Sequence, residues 1–245
     1  MFVYLKTIWQ NILDLLYPPV CLSCLKILES SATEVGLCAN CLQKLEHVET
    51  GFVQEMILNR LPEKFLNDLI VFFFFNETIQ SLIHNIKYNK MAKLGKNLGR
   101  FATRNIQNFL KEPPAFVFPI PLHPAKEKDR GYNQSDLIAQ GIFENLPVPI
   151  LKNGLFRTRE THSQTRLNRE ERQKNVKAAF QVNPGINILD KTIVLVDDVV
   201  TTGSTLNSCA EACKRAGAER VIGIAIATPK LNPDADIPEN LRGSV

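Results

Sequence analysis

The chain has 245 residues, enough for one substantial domain and a small one. Its hydrophobic content of 44% and charged content of 22% are ordinary for a soluble globular protein, and no stretch reaches the roughly eighteen apolar residues of a membrane span. The formal charge of +4 is too modest to name a partner. Its placement says more: residues 157–177 hold five Arg and two Lys against three Glu, a surplus equal to the whole excess. That segment suits an anionic ligand such as pyrophosphate or a nucleic-acid backbone.

Residues 3–16 set Ile8, Ile12, Leu15 and Leu16 at helical intervals, with Trp9 and Leu13 widening the stripe. Only Lys6 is basic there, so a helix packed on its own protein is favoured over a membrane-surface anchor. Pro18 and Pro19 stop it. Lys6, Gln10, Asn11 and Asp14 interrupt the apolar run, so it does not read as a signal peptide. The cytoplasm is then the expected compartment, with cysteines reduced or bound to metal. Cys21-x2-Cys24 and Cys38-x2-Cys41 follow, thirteen residues apart. Two such knuckles match a four-thiolate zinc ribbon, because tetrahedral Zn²⁺ needs paired sulfurs on tight turns. Disulfides and a redox pair are the weaker alternatives. So small a module folds on its metal, and what it binds stays open among nucleic acid, protein or nothing.

Residues 45–75 read as a connection ending in a buried strand at 71–75. Asn76 then caps a helix with Ile79, Leu82, Ile83 and Ile86 on one face. A second helical run carries Leu94, Leu98 and Phe101. The lysines at 87, 90, 93 and 96, with Arg100, read as a solvated face or, more sharply, a phosphate surface. His84 reads as a packed or capping histidine. Pro113 and Pro114 mark entry to the main sheet. The strand at 116–120 leads through Pro121-Leu122-His123-Pro124 and a charged loop at 126–130 to a helix ending near Asn145. A strand, a basic proline-edged loop and a polar helix start make an anion cradle. Residues 148–156 read as the next strand, and 157–169 as an arginine-rich, mobile segment with few apolar anchors, or else a plain solvated linker.

The chain centres on 193–206, which runs Ile-Val-Leu-Val-Asp-Asp-Val-Val-Thr-Thr-Gly-Ser-Thr-Leu. Its apolar start predicts a buried parallel strand, with Asp197 and Asp198 at the carboxyl end where open α/β sheets bind ligands. Thr201, Thr202, Gly203, Ser204 and Thr205 would open the next helix, where hydroxyls, backbone N–H groups and the helix dipole cradle a phosphate. Acids for sugar hydroxyls beside a phosphate cradle point to a ribose 5-phosphate. An ordinary strand–turn–helix is the bland alternative. The Gly-Lys-Ser/Thr ending of the P-loop is missing. A helix at 206–216 ends at Gly217, with Cys209 and Cys213 as buried small hydrophobes. A last strand at 221–227 precedes a fraying tail.

The 193–206 stretch resembles the phosphoribosyl-pyrophosphate (PRPP) loop of type I phosphoribosyltransferases. Tyr17-Pro18-Pro19-Val20-Cys21, the knuckles, Leu82 through Tyr88 and Arg130-Gly131-Tyr132-Asn133-Gln134 narrow the resemblance. Arg157-Thr158-Arg159, Gln164, 171–176 and Ala179-Phe180 narrow it further. Together these are similar to the ComF family, associated with DNA uptake in natural transformation, over about residues 10–230. The resemblance implies an α/β fold with a mainly parallel central sheet flanked by helices. Its expected divisions are a helix and zinc ribbon at 1–50, a linker and strand at 51–75, a phosphoribosyltransferase-like domain at 76–230 and a tail at 231–245.

The same resemblance implies that Asp197 and Asp198 hold the ribose hydroxyls and residues 201–205 the 5-phosphate. Arg130, Asn133 and Gln134 would grip pyrophosphate, accompanied by Mg²⁺, while Arg157 and Arg159 stabilise the leaving charge as a flexible loop closes. Two departures stand out. Residues 45–75 lack the extra cysteine pair of some relatives, and Thr201 occupies the position where purine enzymes carry an Asp. Purine salvage is therefore unsupported. The expected functions are a PRPP-binding pentosyl transferase with an unread acceptor or a single-stranded-DNA-binding accessory protein with a regulatory or vestigial PRPP site. The sequence gives no oligomeric state.

Overall fold

The computed structural model describes residues 18–28, 33–49, 51–104, 110–158 and 179–230. The readings made on 3–16, on Arg159 and the rest of the arginine-rich segment, and on the tail lie outside them.

A four-stranded parallel sheet in the order β1-β6-β5-β2 forms the centre, with β1 at Asp68–Phe74, β2 at Phe116–Pro119, β5 at Thr192–Val199 and β6 at Arg220–Thr228. The sheet is covered on both sides because its strands are apolar on both faces. Val194, Val196, Ile222 and Ile224 pack with α3 (Glu77–Tyr88), α4 (Ala92–Ala102) and α6 (Gln134–Ile142). Ile193, Leu195 and Val221 pack on the other side with α2 (Phe52–Asn59) and α7 (Ser204–Arg215). This two-sided cover is what lets near-continuous apolar strands form a parallel sheet.

The cysteine module shares this core. Cys21, Val35, Leu37, Cys41 and Leu45 are buried in the same cluster as the α3 and α4 side chains. Short helix α1 (Ala39–Gln43) carries Cys41. Beyond it the chain lies antiparallel along β1, with Val48 N–H donating to Phe72 O at 2.9 Å and Phe74 N–H to Glu46 O at 2.8 Å. These bonds cover the edge of the sheet. Asn76 caps α3 by accepting from Ile79 N–H at 3.1 Å, and its amide donates to Lys44 O at 2.7 Å. One residue thus starts the helix and ties it to the module.

Helices α4 and α6 cross closely because glycine leaves the space. A Cβ at Gly141 would sit 1.9 Å from Lys96 O, and one at Gly99 would sit 2.3 Å from Ile138 O. Backbone atoms cannot yield as a side-chain tip can. Gly141→Ala should therefore destabilise the protein by about 3 kcal/mol, measured as a fall in Tm, whereas Gly185→Ala, with one ordinary contact at 3.4 Å, should change it little.

Three expectations are corrected. The charged loop at 126–130 is helix α5 (Pro124–Arg130), started by proline in its first turn and by His123 accepting from Ala125 N–H at 3.3 Å. The strand expected at 148–156 shrinks to β3 (Leu155–Arg157), which pairs antiparallel with β4 (Phe180–Val182) outside the main sheet. Pro147 and Pro149 remove ladder donors, and only Ile150 bridges to Val117. The connection at 45–75 contains α2, whose Val53, Ile57 and Leu58 form a buried stripe at helical spacing.

Candidate functional site

Strand β5 delivers its two acids to different surroundings. Successive side chains alternate across a strand, so Asp198 follows Val194 and Val196 toward α3, while Asp197 follows Ile193 and Leu195 toward α7. Asp198 is 5% exposed and ion-paired with Lys87 at the end of α3. Gln134 Nε2 lies 3.5 Å from its other oxygen. Asp197 is half-buried, and its Oδ1 accepts from Ser135 Oγ at 3.1 Å and Asp198 N–H at 2.9 Å. Burial first, then the neighbouring Asp198 charge, push the Asp197 carboxyl well above the usual carboxylate range.

Asp197 borders a cavity of about 40 Å³ that Thr201, Thr202, Gly203, Ser204 and Thr205 also line. The four hydroxyl residues are exposed and Gly203 is buried. Gly203 takes φ +76°, and a Cβ there would stand 2.9 Å from Ile57 Cγ2 on α2. The turn thus needs glycine for both conformation and room. No side chain caps α7; Ser204 N–H is 3.4 Å from Thr202 Oγ1. The helix start keeps N–H groups and its positive dipole end directed at the cavity. The turn is anchored from behind by Asn207, which accepts from Phe65 N–H at 2.9 Å and donates to Glu63 O at 2.7 Å. The arrangement can hold a small anion against hydroxyl and amide donors, with a carboxyl group alongside.

Of Arg130, Asn133 and Gln134, Gln134 reaches Asp198 and Arg130 is joined to Gln134, while none of the three lines the small cavity. The Arg130 guanidinium donates to Gln134 Oε1 and lies 5.9 Å from the centre of the Tyr88 ring. Asn133 accepts from Ser135 N–H at 3.0 Å, capping α6, and donates to Ile120 O at 2.9 Å. Tyr132 donates its hydroxyl to Ile86 O, joining the end of α3 to this group. Arg157 stands on β3 with its guanidinium 5.1 Å from the Phe180 ring centre, beside a separate cavity of about 400 Å³. Lys87 and Ser135 are the residues that sequence reasoning missed as partners of the acids. Lys87 follows Ile83 and Ile86 on the buried side of α3, and that spacing was the available signal.

The ligand atoms of Cys21, Cys24, Cys38 and Cys41 lie within 4.8 Å of one another. Cys24 and Cys38 Sγ are 3.7 Å apart, well beyond the roughly 2 Å of a disulfide. Burial opposes ionisation at Cys21, but backbone N–H groups of Cys24, Cys38 and Ser23 bring its thiol down to about 6. Burial and the neighbouring sulfurs push Cys41 up to about 12. Four converging sulfurs need a cation to share them, and this donor set is that of structural zinc. Because the module's core is continuous with α3, stripping the metal should release about one Zn²⁺ per chain and lower the Tm of the whole protein, not of a detached piece. A colorimetric chelator read alongside far-UV circular dichroism checks this.

Cys209 and Cys213 are buried on α7, as small hydrophobes. Burial first raises both thiols, Cys213 to about 12, so neither is a ready nucleophile.

Residues 130–236 match the phosphoribosyl transferase domain, and residues 12–52 match the double zinc ribbon domain. Competence protein F of Haemophilus influenzae is 29% identical over 201 residues, covering 76% of this chain and 87% of that protein. The DNA utilization protein YhgH of Escherichia coli K12 is 31% identical over 147 residues, 58% of this chain and 64% of that protein. Competence protein ComFC of Streptococcus pneumoniae is 30% identical over 150 residues, 61% of this chain and 63% of that protein. The matches to the last two span less than two thirds of their length.

Proposed function

We propose, from the premise that this chain belongs to the ComF family and carries the type I phosphoribosyltransferase fold, that it binds PRPP at the β5–α7 turn, transfers the phosphoribosyl group and acts in DNA uptake. The observation that carries the reading is the shared cavity: the half-buried Asp197 carboxyl opens onto the same space as the hydroxyls of Thr201, Thr202, Ser204 and Thr205. In this reading the turn takes the 5-phosphate, and Asp197 accepts hydrogen bonds from ribose hydroxyls. Asp198, held by Lys87, sets its backbone N–H on the Asp197 carboxyl. Arg130, Asn133 and Gln134 face the pyrophosphate, and Arg157, with Arg159 from the segment beyond it, balances the departing charge.

The donor set fits Mg²⁺ carried in by the substrate: Asp197 is the carboxylate at the cavity, while Asp198 is committed to Lys87. When bound, the ion supplies charge neutralisation at the pyrophosphate oxygens. Consumption of PRPP with release of pyrophosphate tests the transfer; binding without turnover under any acceptor would leave only a binding protein.

A pH dependence follows. The raised Asp197 carboxyl holds a proton above the usual range, and an ionised group is the better acceptor for sugar hydroxyls. PRPP affinity should therefore rise with pH through the raised pKa and fall as acid protonates the group. Calorimetry in two buffers of different ionisation enthalpy should register proton release on binding. Uptake of protons, or flat affinity, contradicts this role for Asp197.

A second reading, binding of single-stranded DNA, is favoured by the relatives' names and by Lys26 and Lys44, which stand exposed beside the cysteine centre. The basic segment at 157–177 would add to it. Steep salt dependence of binding supports it, and binding indifferent to salt sinks it. Among the described residues no helix is long and apolar enough to cross a membrane. The cytoplasm is the compartment proposed.

A further inference from the structure

Residues 78–111 hold five Lys and two Arg and no Asp or Glu. The fold neutralises much of that run. Lys87 pairs with Asp198, Lys96 and Arg100 with Glu144, and Arg104 with Glu34. Lys90 and Lys93 stay exposed and take no acidic partner among the described residues. They stand at the corner between α3 and α4, where Lys90 has φ +55°, a backbone that L side chains rarely adopt. Apolar groups are exposed with them: Tyr88 is 66% exposed and Met91 37%.

The Tyr88 ring is flanked rather than covered. The His84 ring, one helical turn earlier, lies 4.8 Å away at 43°, and the Arg130 guanidinium lies 5.9 Å from the ring centre. An open aromatic ring among cations is a surface on which a base can stack while ammonium groups take the phosphates beside it. Helix α5 adds no excess of its own, because exposed Lys126 and Lys128 oppose exposed Glu127 and Asp129. Two apolar side chains fall far short of the roughly 800 Å² per partner of a stable protein interface. A duplex keeps its base faces inside the stack, so the chemistry fits a single strand. Arg130 also joins this corner to the acid pair, since it donates to Gln134, which reaches Asp198.

We propose that the α3–α4 corner is a platform for single-stranded nucleic acid, with a base stacked on Tyr88 and phosphates on Lys90 and Lys93. Arg130 serves both this platform and the pyrophosphate, so strand and PRPP compete. The proposal rests on the single-strand reading and gives it a place; the competition rests also on the PRPP reading.

Fluorescence anisotropy of the zinc-loaded full chain with a labelled oligothymidylate of about 16 nucleotides tests it. Tyr88→Ala should weaken binding about fivefold or more, and Tyr88→Phe, which keeps the ring, should not. Lys90→Gln with Lys93→Gln should flatten the slope of log affinity against log salt by about 1.4. PRPP with Mg²⁺, at matched ionic strength, should weaken strand binding at least threefold. Unchanged binding in Tyr88→Ala, equal loss in Tyr88→Phe, an unchanged salt slope, or equal affinity for a duplex of the same length overturns the platform. Tyr88-dependent self-association, or Tyr88-dependent sedimentation with phosphatidylglycerol vesicles while strand binding is unchanged, gives the face to another occupant and also overturns it. Strand binding that survives Tyr88→Ala but is lost on Lys26→Gln with Lys44→Gln keeps the single-strand reading and removes this placement. No strand binding removes both. PRPP binding by calorimetry without effect on the strand overturns the competition, and absence of PRPP binding removes the competition along with the transferase reading while leaving the platform.

Discussion

Asp197→Asn combined with Asp198→Asn should weaken PRPP binding by at least about 100-fold. Hydrogen bonds to charged groups contribute roughly 1.5–3 kcal/mol each, and two lost together exceed about 3 kcal/mol, with about 1.4 kcal/mol per tenfold. The two positions should not contribute alike. Asp197 borders the cavity and stands half-exposed, so Asp197→Asn should lose affinity while leaving the fold intact. Replacing a carboxyl that burial and the adjacent Asp198 charge disfavour in its ionised form should raise Tm. Asp198→Asn should lose affinity and stability together, because it leaves the Lys87 ammonium without its counter-ion. Calorimetry and thermal unfolding on the same three variants separate the effects. Full affinity in the double variant would remove the acids from the site.

Lys87→Met should destabilise the protein by about 3–5 kcal/mol at neutral pH, the range expected when one partner of a buried ion pair is deleted. The pair is unequal in exposure: the Asp198 side chain is 7% exposed and that of Lys87 25%. Removing the lysine therefore strands the more deeply buried charge. Lys87→Arg should recover part of the loss and Lys87→Met with Asp198→Asn most of it, a coupling that a double-mutant cycle measures by urea unfolding. Additive losses would show that the pair is not energetically joined. A structural consequence follows from where α3 runs. Its start is tied to the cysteine module through Asn76 and Lys44 O, and its end holds Asp198. Zinc removal should therefore weaken PRPP binding as well as lower Tm.

What could be read from the chain alone follows the strength of each local signal. The central strand and the turn after it were readable because apolar run, acids, glycine and hydroxyls fall in one uninterrupted stretch. The cysteine group was readable because two x2 pairs leave few geometric options. Helix α2 was hidden: Val53, Ile57 and Leu58 form a short stripe behind Gly51, which supplies no side-chain cap, and its burial comes from packing on β1 and Gly203. Helix α5 looked like a loop because its seven residues bury nothing. Proline at its start and the His123 cap set it instead. The strand expected at 148–156 is cut short because Pro147 and Pro149 offer no N–H to a ladder that the apolar content alone would favour. The partners of the acids were beyond a linear reading, since Lys87, Ser135 and Asp198 meet only through the sheet. Lys87, one of five basic residues whose sequence reads as a solvated or phosphate-facing surface, is the clearest case. The other four lie beyond α3, with Lys90 and Lys93 exposed and Lys96 and Arg100 half-buried in ion pairs with Glu144, and Lys87 alone of the five is paired with a buried strand acid.

The most direct test of the central claim is calorimetric titration of the zinc-loaded full chain with PRPP in the presence of Mg²⁺, with ribose 5-phosphate and pyrophosphate as separate competitors. Saturable one-site binding of PRPP, displaced by ribose 5-phosphate and lost when Thr202 and Thr205 are both changed to Val, is the result predicted for a phosphate cradle beside a sugar-binding acid. No heat of binding at millimolar PRPP, or binding that the threonine changes leave untouched, would contradict it.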